Sequence, residues 1–230
     1  MPYSDYTYNS HNPIRRFSHK RRFNQLCKLV SRYTRPGMNV LDFGCADGHL
    51  ISLLSANNDN GCTYIGYDPY PDSESDPSVT IYDNFDDIKS TNTSFDVITC
   101  LEVLEHFNPN MQRKLIGQVK SILSPGGTLI ISVPIESGLS GVFKGIIRKL
   151  TDKRLRPKYT WNNLWRTLIS RPINQYRTGD GYLDHIGFYF KDLRKLLEDD
   201  FNIQSVTHSP FPFFGAAFNS QITCILKARN

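Results

Sequence analysis

The sequence predicts an α/β protein built on a doubly wound, largely parallel β-sheet. Strand-like and helix-like segments alternate from residue 39 onward, and the strand-like segments are nearly unbroken apolar runs. Such runs are typical of parallel strands that helices cover on both faces. The tail departs from this alternation, because the strand-like segments 202–207 and 219–227 are joined by a loop too short for a crossover helix. We therefore expect the last two strands to pair antiparallel.

The remaining elements follow in a regular order. An amphipathic helix is predicted over 20–34, where apolar residues recur every three or four positions until Pro36 and Gly37 end it. The other predicted strands are 39–43, 63–67, 79–82, 95–100 and 128–133, and the other predicted helices are 48–56, 109–123 and 189–199. The segment 124–127, Ser-Pro-Gly-Gly, predicts a turn between a helix and a strand.

Length and composition favour one domain with additions. A chain of 230 residues suffices for one well-buried domain but not for two of full size. We predict an N-terminal basic helical arm over 1–35 and a domain over 36–230 that carries an insertion at about 135–183. The five cysteines are scattered, so we expect them to act as small apolar residues. Without a bilayer-length apolar run or a signal peptide, the expected location is the cytoplasm.

Basic residues are concentrated in two segments of a chain whose formal net charge is +5. Between 139 and 177 there are ten Lys and Arg against one acidic residue, and the first 35 residues hold eight against one. Such asymmetry indicates an anionic partner, which could be a membrane surface, a phosphate-bearing substrate or nucleic acid.

Residues 44–48 carry the strongest functional signal. They connect a predicted buried strand to a predicted helix, and Gly44 and Gly48 remove side chains that would block the approach of a ligand. Such a turn offers unpaired backbone N–H groups and the positive end of a helix dipole to a polar ligand. Asp68 directly follows the second strand, where a carboxylate can accept both hydroxyls of a ribose. The alternative for Asp68 is a solvated loop aspartate.

Several motifs stand in a specific order along the chain. They are Asp-Phe-Gly-Cys-Ala-Asp-Gly at 42–48, Asp68, Phe-Asp-Val-Ile at 95–98, Leu-Glu-Val-Leu-Glu-His at 101–106 and Ser-Pro-Gly-Gly-Thr at 124–128. In this order, the chain resembles the class I S-adenosylmethionine-dependent methyltransferases over about 36–135 and again over 185–227. The resemblance implies a Rossmann-like, seven-stranded sheet with an antiparallel last strand.

The resemblance also implies a cofactor site. It assigns Asp42 and the turn to the methionine part, Asp68 to the ribose, and Asp83 or Asn84 to the adenine edge, with 101–102 as the floor beneath the sulfonium. The implied cofactor-binding residues are Asp42, Gly44, Cys45, Ala46, Asp47, Gly48, Asp68, Pro69, Asp83, Asn84, Leu101 and Glu102.

Ala46 stands where the family commonly has glycine. Its Cβ restricts positive φ, so we expect a slightly shifted turn that still binds the cofactor. A nicotinamide dinucleotide is the alternative ligand, but it requires a G-x-G-x-x-G spacing that 44–48 does not supply.

The candidate catalytic residues are His106, His185 and Glu102, with Glu105 behind them. A hydroxyl acceptor must lose its proton as the methyl group arrives, and a nearby base speeds that step by about 10²–10⁴-fold. Structural alternatives are a helix-capping role for His106 and a hinge contact for His185. The aspartates occupy predicted cofactor positions or loops, so we expect no metal ion.

The insertion at 135–183 is expected to help form the acceptor site and to act as a basic helical lid. Residues 142–150 mix apolar and basic side chains, and Trp161 and Trp165 lie four apart, which is typical of a helix in a membrane interface. The alternative is a solvated lid whose aromatic residues pack on the core.

We predict O-methylation of a sugar hydroxyl in a glycan or polysaccharide, lipid-linked or phosphate-bearing, at the inner face of the membrane. Residues 12–22 and the insertion are similar to methyltransferases associated with surface polysaccharide synthesis. The alternatives are methylation of a membrane lipid, quinone precursor or other small molecule, and a non-catalytic domain. A nucleic-acid methylase is less favoured, because 100–103 lacks the Asn/Asp-Pro-Pro-aromatic tetrapeptide that base-amine methylases often use.

Overall fold

The fold is described from a computed structural model. It describes residues 13–56, 61–72, 78–171, 173, 176–177, 183–210, 215–216 and 219–229, without the side chains of 13–19 and 22. The helices are α1 (Pro13–Tyr33), α2 (His49–Ala56), α3 (Phe85–Ser90), α4 (Pro109–Ile122), α5 (Gly138–Thr151), α6 (Trp161–Leu168) and α7 (Phe190–Asp200), with a 3₁₀ turn at Leu104–His106. The strands are β1 (Asn39–Phe43), β2 (Thr63–Tyr67), β3 (Thr80–Tyr82), β4 (Phe95–Leu101), β5 (Leu123–Pro134), β6 (Phe201–Ser209) and β7 (Gln221–Ala228).

The seven strands form one sheet in the order β3-β2-β1-β4-β5-β7-β6. β1 pairs in parallel with β2 and β4, and β2 pairs in parallel with β3. The last strand is antiparallel, so the predicted α/β fold with an antiparallel tail is confirmed. Helix α2 stands between β1 and its parallel neighbour β2, whereas only residues 210–220 separate β6 from β7.

The register of β1 and β2 positions the candidate cofactor turn. Phe43, the last residue of β1, is paired with Tyr67, the last residue of β2. Both strands therefore end at the same level. The turn 44–48 and Asp68 follow these two ends directly, so they lie together at the carboxyl edge of the sheet, where open α/β sheets bind ligands.

The described residues divide into two compact units. The first contains those up to Leu101, 118–131 and those from Ile225 onward; the second contains 102–117 and 132–224. Helix α1 contributes to a core cluster of the first unit. The buried members of that cluster are Phe23, Leu26, Val30, Val40, Leu50, Leu54, Val97, Ile130 and Ile225. The apolar spacing that predicted the helix is thus the face that it buries.

The turn predicted at 124–127 is wrong, because β5 begins at Leu123 and includes these residues. Gly126 takes φ +74°, which glycine adopts without steric cost. The Nζ of Lys227 donates to the carbonyl of Gly126 and, at 2.9 Å, to Oγ1 of Thr128. A contact from β7 therefore holds this segment, and local turn chemistry does not predict such a contact.

Two further expectations concern the cysteines and the membrane. All five cysteines are free thiols; Cys45, Cys100 and Cys224 are buried, while Cys27 and Cys62 are half-buried. This agrees with their expected role as small apolar side chains. Among the described helices, none combines the length and apolarity that crossing a bilayer requires.

Candidate active site

The turn after β1 is tied to the end of β2 by its backbone. The N–H groups of Gly44 and Cys45 both donate to the carbonyl of Tyr67, at 2.7 and 3.1 Å, and the N–H of Gly48 donates to the carbonyl of Cys45 at 2.8 Å. Gly44 and Gly48 have φ values of +86° and +74°. A Cβ on Gly48 would also lie 3.1 Å from Cδ1 of Ile81. Glycine is therefore required at 48 for both conformation and space.

Ala46 adopts the left-handed conformation that the turn requires, with φ at +50°. Its N–H donates to Oδ2 of Asp68 at 2.9 Å, and its carbonyl accepts from the N–H of Asp72 at 3.3 Å. An L-residue pays about 1–2 kcal/mol for this conformation. The turn thus keeps a left-handed backbone at 46 despite the Cβ.

Asp68 lies at the end of β2, half-buried, as the ribose assignment requires. Its Oδ1 accepts from the N–H of Tyr70 at 2.9 Å, and its Oδ2 accepts from Ala46. A carboxylate offers about four acceptor positions, so two hydroxyl groups can still donate to it. The backbone bonds hold the carboxylate in one orientation, which favours specific binding.

Asp42 is a buried carboxylate near two others. Burial raises its pKa to about 7; the hydroxyl of Thr99, which donates to Oδ1 at 2.6 Å, opposes this, and the charges of Asp68 and Asp47 add to it. Three neighbouring carboxylates favour a cationic ligand. S-adenosylmethionine carries a sulfonium and an ammonium group and fits this charge, whereas the pyrophosphate of a nicotinamide dinucleotide would be repelled.

The other predicted cofactor residues differ in their surroundings. Asp47 is buried, and its Oδ1 accepts from the N–H of His49 at 3.2 Å, at the start of α2. Oδ1 of Asn84 caps α3 by accepting from the N–H of Asp86 at 3.1 Å. That bond leaves one lone pair of the amide oxygen and the NH₂ group of Asn84 available, and Asp83 is exposed, so both residues remain candidates for the adenine edge. Pro69 is exposed, Cys45 is buried, and Leu101 is half-buried against the core of the first unit.

Glu102 begins the second unit with a strained backbone. Its φ is +58°, a conformation that costs a residue with a Cβ about 1–3 kcal/mol and is found mainly at functional sites. Its N–H donates to the carbonyl of Ser132 at 2.9 Å, and its Oε1 accepts from Nε2 of Gln221 at 2.7 Å. Gln221 therefore orients a candidate catalytic carboxylate. Sequence reasoning missed it, since it lies 119 positions away.

The two candidate histidines are in contact within the second unit. The ring centroids of His106 and His185 are 4.6 Å apart at an interplanar angle of 68°. Nδ1 of His106 lies 2.9 Å from the carbonyl of Leu183, and because a carbonyl only accepts, Nδ1 carries the proton. Nε2 of the neutral ring is then unprotonated, and it faces Oε1 of Glu105 at 3.7 Å.

Burial controls the protonation of these rings. It lowers the pKa of His106 from its ordinary value and lowers the pKa of His185 to about 4. Both imidazoles are therefore neutral near pH 7 and able to accept a proton. For Glu105, burial raises the pKa well above its usual range, and the charge of Glu102 adds to this effect.

Arg177 is a second residue that sequence reasoning missed. It is 9% exposed, its Nη1 donates to the carbonyl of Glu105 at 2.7 Å, and its Nη2 donates to the carbonyl of Phe107. These bonds fix the backbone on both sides of His106. No local sequence pattern predicts that Arg177 binds the backbone around His106, because Arg177 is 72 positions from Glu105.

The expectation of no metal considered the aspartates and overlooked a cluster that the tertiary structure forms. Glu105, His106 and His185 each place one potential ligand atom within 4.8 Å of the others. Sequence spacing could show only the adjacent pair at 105–106.

In the insertion, α5 and α6 pack closely because of two glycines. A Cβ on Gly141 would lie 2.9 Å from Cγ2 of Thr167, and one on Gly145 would lie 2.8 Å from Cδ2 of Leu164. Arg148 binds the carboxylate of Glu136 through two bonds of 2.6 and 3.1 Å. The insertion is thus an ordered helical pair built around a buried ion pair.

Many basic side chains of the insertion have acceptors within the chain. Of the ten between 139 and 177, six donate to carboxylates or carbonyls of the chain; they are Lys144, Arg148, Lys149, Arg154, Lys158 and Arg177. The remaining four, Lys153, Arg156, Arg166 and Arg171, are exposed. The basic surface that faces a partner is therefore smaller than the composition indicates.

The fold and the acidic turn define an S-adenosylmethionine-dependent methyltransferase. Residues 17–200 match the family model described as a methyltransferase domain, and the chain belongs to this family. S-adenosylmethionine is accordingly its cofactor.

Solved structures of other proteins share the fold. Magnesium protoporphyrin IX methyltransferase from Synechocystis PCC 6803, with bound SAH, is 18% identical at a TM-score of 0.58, covering 96% of this chain and 89% of that one. The PH0226 protein from Pyrococcus horikoshii OT3 is 17% identical at a TM-score of 0.61, covering 99% of this chain and 96% of that one. At these identities the likeness concerns the fold alone.

A curated relative matches part of the chain. It is a probable tRNA methyltransferase 9B from Mus musculus, 30% identical over 100 residues, which are 43% of this chain and 22% of the mouse protein. The match thus spans about a fifth of that relative. The acceptors that these names state, a porphyrin and tRNA, are chemically unrelated to one another.

Proposed function

We propose that the protein transfers a methyl group from S-adenosylmethionine to a hydroxyl of a sugar in a glycan or polysaccharide that is held at a membrane surface. The observation that carries this proposal is an exposed apolar surface on α5 and α6. Its residues are Leu139, Phe143, Ile146, Ile147, Leu150, Trp161, Trp165 and Ile169.

The spacing of these residues places them on one face of each helix. Leu139, Phe143 and Leu150 are 62%, 67% and 75% exposed, and they recur along α5 at helical spacing. On α6, Trp161 and Trp165 lie one turn apart and are 77% and 60% exposed. Large apolar side chains that are mostly exposed in a continuous stretch mark an interaction surface.

Charge and aromatic content favour a lipid surface as the partner. Nζ of Lys149 lies 5.1 Å from the ring centroid of Trp161, which joins the exposed surfaces of the two helices. Lys153, Arg156 and Arg171 are exposed around the pair. Tryptophan, bulky aliphatic residues and flanking cations are the features of helices that lie in the interface of an anionic membrane.

The polar residues of the second unit support a hydroxyl acceptor. Glu102, Gln221 and Ser132 form a hydrogen-bonded group, and the neutral rings of His106 and His185 can accept a proton. In methyl transfer, the bond from sulfur to the methyl carbon breaks as the bond from the acceptor oxygen forms. The hydroxyl proton passes to a base, and neutral S-adenosylhomocysteine leaves.

A membrane lipid, such as a quinone precursor, is the second candidate acceptor. The same exposed apolar surface favours it, since a lipid acceptor lies in the membrane itself and needs no glycan headgroup to reach the enzyme.

A labelling experiment separates the glycan acceptor from the lipid acceptor. The purified protein is incubated with methyl-labelled S-adenosylmethionine and a fractionated extract of its host. We expect label in glycan or lipid-linked glycan; label in free lipid favours the second candidate, and label in RNA or protein contradicts both.

Liposome sedimentation tests the membrane contact separately. We expect the protein to sediment with anionic liposomes, and the double variant Leu150→Ser, Trp161→Ala to lose most of this binding because it removes two large apolar anchors. The control is Tyr70→Ala, which removes an aromatic side chain that is 89% exposed elsewhere in the chain. Binding to neutral liposomes only, or to none, contradicts a membrane-apposed role.

Histidine substitutions test the chemistry. His106→Ala and His185→Ala should lower turnover while leaving the affinity for S-adenosylmethionine nearly unchanged. Full turnover by both variants with the true acceptor contradicts a role for these side chains in the reaction.

A further inference from the structure

We propose that Glu105, His106 and His185 bind a divalent transition-metal ion. The inference goes beyond the proposed function, because it concerns a binding site within the second unit and holds whatever the acceptor is.

The geometry of the three side chains suits such an ion. One potential ligand atom from each lies within 4.8 Å of the others, and the pair formed by Nε2 of His106 and Oε1 of Glu105 is 3.7 Å apart. Ligands bound at about 2.0–2.2 Å from a common ion are about 3–4 Å from one another, so modest side-chain rotation closes the site. Two imidazoles and one carboxylate are a ligand set that zinc, cobalt and iron accept.

Glu105 supplies an independent observation. The residue is 0% exposed, and within the described part of the chain neither carboxylate oxygen has a hydrogen-bond partner. Arg177 is close, but its guanidinium donates to the carbonyls of Glu105, Phe107 and Asp184. A buried carboxylate without hydrogen bonds is costly, and a bound cation is one of the few partners that removes the cost.

The histidines present their nitrogens as metal ligands do. A ligating imidazole usually donates its other N–H to a backbone carbonyl, which sets the tautomer and the ring orientation. His106 makes such a bond through Nδ1 to Leu183, and the N–H of Leu183 donates to the carbonyl of His106 at 2.7 Å. Nδ1 of His185 is buried and has no hydrogen-bond partner among the described residues. Glu105 and Nδ1 of His185 are therefore buried polar groups without hydrogen-bond partners in the described part of the chain, and one bound ion would satisfy both.

A consequence for the reaction rests on the proposed function. A bound divalent ion would assist the deprotonation of a coordinated hydroxyl, as it does for metal-bound water. His106 and His185 would then hold the ion, whereas in the metal-free protein they are the candidate bases.

Direct binding of Co²⁺ tests the site without any acceptor. The full-length protein is freed of metal with a chelator and titrated with CoCl₂, and binding is followed by the visible absorption of protein-bound cobalt. We expect saturation at one equivalent and a higher Tm in the presence of Co²⁺, because a ligand that binds only the folded state stabilises it. Absence of saturable binding overturns the metal site and leaves the proposed function standing.

Variants connect the binding to the three side chains. His185→Gln and Glu105→Gln should each weaken Co²⁺ binding by more than about 100-fold, since losing only a hydrogen-bond partner of a ligand costs about 10–100-fold. The matched control, His208→Ala on β6, removes a histidine outside the cluster and should bind Co²⁺ like the wild type.

Glu105→Gln also separates ligation from a merely structural role. Without metal, its Tm should equal or exceed that of the wild type, because a neutral amide replaces a buried carboxylate, and the rise in Tm with Co²⁺ should disappear. Unchanged Co²⁺ affinity in both variants overturns the assignment.

Discussion

Asp42 in the first unit and Glu136 in the second are both buried carboxylates, yet their electrostatic surroundings are opposite. Burial raises the pKa of Asp42 to about 7, with Asp68 and Asp47 contributing further negative charge. For Glu136, burial also acts to raise the pKa, but cations of the chain overcome that effect and hold it below its usual range.

The difference lies in where the counter-charge comes from. Lys144 and Arg148 donate to Glu136 at 3.3 and 2.6 Å, so this acid is neutralised by its own chain and serves structure. Around 44–48, the hydrogen bonds that Asp42 and Asp68 accept come from a neutral hydroxyl and from backbone N–H groups. These donors carry no formal positive charge, so a cationic cofactor fits the surroundings of these two acids. An acid held by neutral donors is therefore a better sign of a binding site than burial alone.

The largest effect is expected where the chain provides its own counter-charge. Glu136→Gln leaves Lys144 and Arg148 partly buried without a carboxylate, which should lower the free energy of unfolding by about 3 kcal/mol. Chemical denaturation at pH 7 measures this. The control is Glu198→Gln, which breaks an exposed pair with Arg194 and should cost far less, because solvent screens this pair. Equal losses in both variants would break the comparison.

A smaller loss is expected at the ribose anchor, and it should appear in binding. Asp68→Ala should weaken the affinity for S-adenosylmethionine by about 1–3 kcal/mol, because ribose hydroxyls lose an acceptor. Isothermal titration calorimetry measures the change. Asp199→Ala, at an exposed position of α7, is the control and should bind normally. An unchanged affinity in Asp68→Ala would show that this residue is not the anchor.

The pH dependence of stability tests the raised pKa of Asp42. In the folded chain its carboxyl keeps its proton up to about pH 7, whereas the unfolded value is 3.8. At this group the folded state thus binds more protons, and the contribution of Asp42 to the free energy of unfolding of the cofactor-free protein should fall as pH rises from about 4 to 7, opposite in sign to the contribution of His185.

Asp42→Asn removes that fall and should stabilise the cofactor-free protein at pH 8 by about 1–2 kcal/mol, since the buried amide offsets part of the gain. Below pH 4 the two proteins should be equally stable on this account. Urea denaturation at pH 4 and pH 8 measures both values. A stability difference between Asp42→Asn and the wild type that does not grow from pH 4 to pH 8 would contradict a raised pKa, since His185 acts equally in both proteins.

The smallest effect concerns the backbone of the turn. Ala46→Gly relieves the left-handed conformation at φ +50° and should raise the free energy of unfolding by about 0.5–1 kcal/mol. Asn92→Gly is the comparator, because Asn92 has φ +52° but asparagine tolerates this region. Its gain should be smaller in the same urea titration. A destabilised Ala46→Gly would show that the Cβ contributes more by contact than it costs in strain.

The sheet was predictable because its strands have local sequence patterns. β1 and β2 were predicted at their observed bounds, since their apolar runs end in turn residues. The first two turns of α1, residues 13–19, and the helices α3, α5 and α6 were not delimited. For α6, a local signal exists in Thr160, whose side chain accepts from the N–H of Asn163 at 3.2 Å and caps the helix.

The cofactor turn was also predictable, because its residues are contiguous or follow a neighbouring strand. The cluster at Glu105, His106 and His185 was predictable only as separate candidates, namely the two histidines and Glu105 behind them. The bonds of Arg177 and Leu183 to the 3₁₀ turn, which hold this region, depend on contacts across more than 70 positions. Periodicity carries no information about such contacts.

The amino-acid sequence by itself determined the α/β sheet, the turn at 44–48 and the acid after β2, since propensity and hydrophobic period act over a few neighbouring residues. Only the tertiary structure decided which buried charges are paired. The sequence shows ten Lys and Arg residues between 139 and 177, but not which acids they pair with. In the folded chain, Lys144 and Arg148 pair with Glu136. The carboxyl group of Glu105 has no hydrogen-bond partner among the described residues. The physical reason is that desolvation and Coulomb energy depend on distances and burial, which the folded chain alone sets.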